Sequence, residues 1–286
     1  MKIEPGQTAI VTGASGGIGV AIAQALAKRG LNLVLAARSY KNLEAVAQPL
    51  RSSEQRIVSL PVDLTARGAP RDLIQRARAT LGSIDMLINN AGVFSPGYFE
   101  DTTDDELDEM VALNITSLMR LTRLALPDMI RRKRGHIVNM GSLAGLGAAP
   151  FLETYSATKH AVVGFSRSLR ASLLQRETGV GVSVVCPGFV SDAGMYAKLQ
   201  EEYAVRASKL LGTSSPQQVA DGVLRVIEKN DPELIVNPGP MRPGLATMTL
   251  FPKLGERAIR ALGINKTAQQ ASDGRRAKEE QSHEND

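Results

Sequence analysis

The sequence predicts a doubly wound α/β fold on a seven-stranded, mostly parallel sheet, and three observations lead there. Short apolar, β-branched runs recur at 8–12, 32–36, 56–62, 84–89, 136–140, 181–186 and 233–236, separated mostly by longer stretches of helical period. Runs such as Val182-Ser183-Val184-Val185 and Asp85-Met86-Leu87-Ile88 are continuous rather than alternating, as strands covered on both faces require. Helix punctuation falls between the runs: Ser15 can cap a helix ending before Gly30, Thr103 with Glu106 forms a capping box, and Ser215-Pro216-Gln217-Gln218 opens another helix.

The 286 residues, 43% of them hydrophobic, suffice for one sizeable core, and no linker or repeat divides 1–240, which is read as a single domain. From Met241 the pattern changes. Residues 241–266 carry Met248, Leu250, Phe251, Leu254, Ile259 and Leu262, but Pro243 and Pro252 prevent one long helix, so two short amphipathic pieces are expected. Three roles are open to them: a lid on a substrate, packing on the core or a partner subunit, and shallow contact with a membrane surface. Residues 267–286 have almost no apolar content and read as a disordered tail.

No apolar run reaches the roughly 20 residues of a membrane span, and no basic-then-apolar segment opens the chain, so it is expected to be soluble, unexported and cytoplasmic. Cys186 alone allows no intramolecular disulfide, and it shares no metal-ligand spacing with the three histidines, so no metal site is expected. The net charge of +5 invites a nucleic-acid reading, with Arg131-Arg132-Lys133-Arg134 the densest basic run. No aromatic residue interleaves those charges to stack a base, and they fall where a helix exposes its carbonyl end; a solvated helix terminus accounts for them.

The first strand runs into Thr12-Gly13-Ala14-Ser15-Gly16-Gly17-Ile18-Gly19 and then into a helix, the setting of a Rossmann-type dinucleotide site. There Gly13 serves a tight turn, Gly17 the backbone's approach to a pyrophosphate and Gly19 close helix packing, while the N–H groups of the first turn, from Ser15 through Ile18, face the phosphates. The second strand ends Ala36-Ala37-Arg38-Ser39, where a carboxylate would hold a free ribose 2′-hydroxyl. Instead Arg38 and Ser39 can grip a 2′-phosphate, which favours NADP(H) over NAD(H).

Of five tyrosines only Tyr155 has a lysine four positions later, on the same helical face, so Lys159 can sit beside its phenol. Asp63 follows the third strand, Asn89-Asn90-Ala91-Gly92 the fourth, Ser142 the fifth and Pro187-Gly188 the sixth. All fall at carboxyl ends of strands, where open α/β sheets gather ligands.

With these motifs in this order, residues 5–240 resemble the short-chain dehydrogenase/reductase family. The resemblance implies interconversion of a ketone or aldehyde with an alcohol by hydride exchange with the nicotinamide. It implies that Ser142 polarises the carbonyl, that Tyr155 gives or takes the proton, that Lys159 lowers the tyrosine pKa and holds the nicotinamide ribose, and that Asn114 anchors a water in the proton relay. Asn90, Ala91 and Gly92 would line the adenosine-side ribose, Asp63 and Leu64 the adenine, and Pro187, Gly188 and Val190 the nicotinamide.

Two departures qualify this. Gly16 stands where many NADP-preferring relatives carry a basic residue, and Asp192 where relatives commonly place a threonine for the carboxamide. The segment from Ser191, with Ala193, Met195, Tyr196 and Leu199, would cover the substrate, Met195 and Tyr196 touching it. Its apolar character implies a hydrophobic carbonyl or alcohol of lipid, steroid or polyketide type. Relatives pair through two long helices, here about 103–134 and 153–178, which implies a homodimer or homotetramer. A catalytically silent cofactor-binding sensor or scaffold is the alternative function.

Overall fold

The computed structural model describes residues 1–191, 194–203, 205, 212–262 and 266–284. Its seven strands are β1 (Thr8–Thr12), β2 (Asn32–Ala37), β3 (Ile57–Pro61), β4 (Met86–Asn89), β5 (Gly135–Met140), β6 (Val180–Pro187) and β7 (Glu233–Val236). They form one sheet of order β3-β2-β1-β4-β5-β6-β7 in which every pairing is parallel. The strand order therefore reverses between β1 and β4, and that edge is the switch point at which ligands enter such sheets.

The period of two along each strand sends alternate side chains to opposite layers. Ala9 and Val11 of β1, with Leu33 and Leu35 of β2, join Ile22 and Leu26 of α1 (Gly17–Ala27) and Val219 and Val223 of α8 (Pro216–Lys229). Ile10, Val34 and Ala36 face the other way, onto Leu73 and Ile74 of α3 (Ala69–Leu81) and Leu121 and Ala125 of α5 (Leu118–Arg131). Helices on both faces explain why the strand sequences run nearly continuously apolar.

Both capping boxes form, Thr103 with Glu106 at α4 (Asp104–Val111) and Ser215 with Gln218 at α8. Ser15 does not cap α1. The N-cap is Gly16 in extended conformation, and no side chain bonds the first turn. The long helix expected over 103–134 is α4 and α5 joined by a π-helical turn, Ala112–Ser117, at which Asn114 stands. Its end is less solvated than expected, because Arg132 reaches Asp85 at 2.8 Å and Asp128 at 2.9 Å.

Pro243 and Pro252 stand in the first turns of α9 (Arg242–Leu250) and α10 (Pro252–Leu262), where a missing N–H costs nothing. The disordered tail is corrected: Lys266–Glu284 is a helix, α11, with Thr267, Ala271 and Ser272 buried. Small side chains and ion pairs, rather than large apolar ones, hold it, and composition alone does not reveal those. No helix among the described residues is long and apolar enough to cross a membrane.

Candidate active site

The glycine loop after β1 is held from β4. The Asn90 amide donates to Thr12 O at 2.9 Å and Gly13 O at 3.3 Å, while the Thr12 hydroxyl accepts from Asn90 N and Ala91 N, both at 3.0 Å. Asn90 thus positions the loop. A Cβ at Gly19 would stand 2.1 Å from Gly13 O, so backbone packs there where no other residue fits. Gly13 has φ +65, and a Cβ on it would meet Ala91 Cα at 2.9 Å. Beside Gly16 there is open space. A tight loop, an uncapped helix start without acidic residues in its first turn, and open space above fit the pyrophosphate of a dinucleotide.

At the adenosine end Arg38 is exposed and lies 3.6 Å from Glu109. The Ser39 hydroxyl caps α2 (Tyr40–Ala47) by accepting from Asn42 N at 3.3 Å. Asp63 accepts from Thr65 N and from the Thr65 hydroxyl; these bonds, with Arg38 nearby, hold its carboxyl below the usual range. Leu64 is buried in the layer beneath.

Asn114, Lys159 and Met195 meet at Gly92, where a Cβ would lie 3.1 Å from Asn114 Oδ1, 3.7 Å from Lys159 Nζ and 3.7 Å from Met195 Cε. Tyr155 and Lys159 project from α6 (Glu153–Gln175), one turn apart. Ser142 opens the short turn Leu143–Gly145 after β5; its hydroxyl accepts from Ala144 N at 3.2 Å and is hydrogen-bonded to Tyr155. The turn lies tight on α6: a Cβ on Gly145 would be 2.6 Å from Lys159 O.

Burial pushes the Tyr155 phenol up to about 12, against the hydrogen bond from Ser142, and pushes Lys159 down to about 8. The lysine ammonium donates to Met140 O at 2.8 Å and stands 5.5 Å from the Tyr155 ring centre. Desolvation is the largest cause of the tyrosine's shift, and the expected depression by Lys159 together with a bound oxidised nicotinamide stays a proposal.

Asn114 is buried. Its Oδ1 accepts from Val93 N at 2.9 Å, and its Nδ2 donates to Val93 O at 2.8 Å and to the Thr158 hydroxyl at 3.0 Å. The π-helical turn thus aims a side chain that ties the exit of β4 to α6.

Beyond β6, Pro187-Gly188 runs under Asn237 and Leu143. Val190 is bridged to Ser214, with Ser191 N donating to Ser214 O at 2.9 Å. Asp192 and Ala193 lie outside the described residues, so the expectation about the carboxamide contact lies there too. In α7 (Gly194–Tyr203) Met195 faces Gly92. Tyr196 instead turns into a cluster with Leu199, Val205, Ala271, Phe94 and Phe189, its ring 5.0 Å from that of Phe189.

Phe94 is the residue sequence reasoning missed. Its ring stands edge-on to Tyr155, centres 5.8 Å apart. Its position two residues after Gly92, at a strand's carboxyl end, was the available signal.

An α/β sheet with a glycine cradle at its switch point and a Ser-Tyr-Lys set beside it defines the class as an oxidoreductase acting on an alcohol or carbonyl. Comparison with known proteins narrows this. Residues 7–204 match the family model described as short chain dehydrogenase, and the chain belongs to that family. It is 38% identical to the ketoacyl reductase HetN of Nostoc over 86% of this chain and 83% of that one. It is 34% identical to the D-beta-hydroxybutyrate dehydrogenase of Cupriavidus necator over 71% and 77%. Among solved structures it resembles a short-chain dehydrogenase/reductase of Burkholderia phymatum in complex with NAD, with TM-score 0.79, 25% identity and 89% and 96% coverage. It also resembles an actinorhodin polyketide ketoreductase variant with NADPH, with TM-score 0.73, 30% identity and 80% and 95% coverage.

Proposed function

We propose that the protein is an NADP(H)-dependent reductase of hydrophobic ketones, best described as 3-oxoacyl compounds. The observation that carries this reading is the grouping of Ser142 and Lys159 around Tyr155, with Phe94 edge-on to its ring and Met195 and Lys159 meeting at Gly92. The bound nicotinamide supplies or accepts the hydride. Ser142 donates a hydrogen bond to the substrate carbonyl, and Tyr155 passes its phenolic proton to the oxygen as it becomes an alkoxide. Lys159, its Nζ close by Gly92, holds a ribose hydroxyl, and Asn114 keeps the β4 exit and α6 in register.

Three relatives whose names read ketoacyl reductase, D-beta-hydroxybutyrate dehydrogenase and polyketide ketoreductase act on oxygen functions of acyl chains, which supports the substrate class. Preference for NADP(H) rests on Arg38, which follows β2 where a ribose-binding carboxylate would stand and is largely exposed beside Glu109. Homo-oligomerisation through α4–α5 and α6 is supported by the exposed Val111, Met119 and Leu174, and light scattering tests it. A cytoplasmic setting completes the reading and is tested by cell fractionation. The central experiment follows NADPH oxidation over a panel of 3-oxoesters and simple ketones with wild type and Tyr155→Phe. Turnover within a few-fold of wild type in the variant rejects the acid role, and no turnover by wild type on any ketone leaves the silent-sensor alternative.

A further inference from the structure

We propose that helix α11 is the outer wall of the substrate pocket and that Arg275 is the positioning residue that holds this wall shut. The chain's own C-terminal segment would then set the size of substrate admitted. The inference rests on the ketoreductase reading for its substrates but on separate residues for its evidence.

Two segments border the site: the loop leaving β4, whose Phe94 ring is edge-on to Tyr155, and α7, whose Met195 reaches Gly92 and whose Tyr196 clusters with Phe94. α11 is fastened to both. Ala271, fully buried, packs in one cluster with Phe94 of the loop and with Tyr196 and Leu199 of α7. One turn on, the Arg275 guanidinium takes Glu106 in bidentate fashion at 2.7 and 3.0 Å and donates to the Ser95 hydroxyl at 2.7 Å. That hydroxyl donates in turn to Glu106 at 2.6 Å.

The Arg275 and Glu106 side chains are only 16% and 26% exposed, and Glu106 also accepts from Thr103 N, so the junction ties α11 to the first turn of α4. A planar, partly desolvated fork of this kind fixes orientation as well as distance. Tyr98 donates to Asp273 at 2.6 Å beneath the Arg276 guanidinium, which stacks on its ring at 3.9 Å and binds Asp101. At the other end Lys278 donates to Glu202 O and lies over the Tyr203 ring. A solvated tail has no use for a fork buried against the loop that carries Phe94. A wall that must resist the push of an acyl chain does.

The test uses full-length enzyme and two substrates, ethyl acetoacetate and ethyl 3-oxooctanoate, with NADPH. Ala271→Leu fills the wall, and the ratio of kcat/KM for the long ester over the short one should fall at least tenfold, through KM. Arg275→Ala should loosen the wall and shift the same ratio at least fivefold, with Arg275→Lys between it and wild type. Equal effects on both esters, or a lowered Tm with an unchanged ratio, overturn the proposal. Should wild type reduce neither ester, the ketoreductase reading fails, and hydrogen exchange decides the inference by itself. Arg275→Ala should raise amide exchange in 94–101 and 194–203 together with α11, whereas a rise confined to α11 overturns it.

Discussion

Gly145→Ala is the sharpest test of how the site is assembled. The added methyl would sit 2.6 Å from Lys159 O, 2.7 Å from Lys159 C and 3.0 Å from Lys159 Cβ. The obstacle is helix backbone, which cannot rotate away. Restoring ordinary contact of roughly 3.5 Å therefore moves the Leu143–Gly145 turn by about 1 Å. Ser142 belongs to this turn through its bond from Ala144 N, so it travels along, away from Tyr155. A displacement of about 1 Å in a catalytic group costs up to about 10²-fold, so kcat should fall roughly 10- to 100-fold, or about 1.4–2.7 kcal/mol in the barrier. Overpacking should lower stability by about 1–3 kcal/mol.

Gly147→Ala is the matched control, since its methyl would meet only Leu245 Cδ2, at 2.9 Å, the end of a side chain that can turn aside. Steady-state kinetics and thermal melts on the two variants, with any ketone wild type reduces, decide the matter. The reasoning is refuted if Gly145→Ala keeps kcat within threefold of wild type, or if both variants lose the same amount.

Other outcomes follow from the same geometry. With the Tyr155 phenol pushed up to about 12, carbonyl reduction, which needs the acid form, should be flat in kcat/KM from pH 6 to 8 as far as this group is concerned. Alcohol oxidation, which needs the phenolate, should rise toward tenfold per pH unit, and a reduction profile falling near pH 7 contradicts this. Because that pKa is raised on folding, the stability it contributes is complete below pH 10 and is lost as pH climbs from 10 toward 12, readable from Tyr155→Phe melts. Arg38→Asp should weaken NADPH binding at least tenfold more than NADH binding by fluorescence titration of the reduced cofactors, and equal losses reject the phosphate assignment. Arg132→Ala strips the partner from the buried Asp85, and also the bond to Ile84 O. Discounted for the quarter exposure of Arg132, this should cost about 2 kcal/mol and lower Tm by roughly 4–8 °C.

Much of this molecule was legible in its sequence. Thr103/Glu106 and Ser215/Gln218 are signals spanning four residues, and both caps form as read. Ser15 failed as a cap because Gly16 intervenes in extended conformation, a backbone choice that residue type does not dictate. Glu106 was legible only as a capping partner. Its ion-pair partner, Arg275, lies 169 positions away, beyond any local pattern. The tail was misread for the same reason, since polar composition argues for disorder until the residues that neutralise it are known.

Strand periodicity and motif order determined by themselves that the glycine loop, Ser142 and Tyr155 share one sheet edge, because each signal acts within a few residues and parallel topology does the rest. The tertiary structure alone decided that burial raises the Tyr155 phenol and that the Asn114 amide bonds Val93 and Thr158. It also decided that α11 packs against α7 and the loop after β4. Desolvation and long-range ion pairs depend on what surrounds a group in space, and no run of neighbours in the chain encodes that.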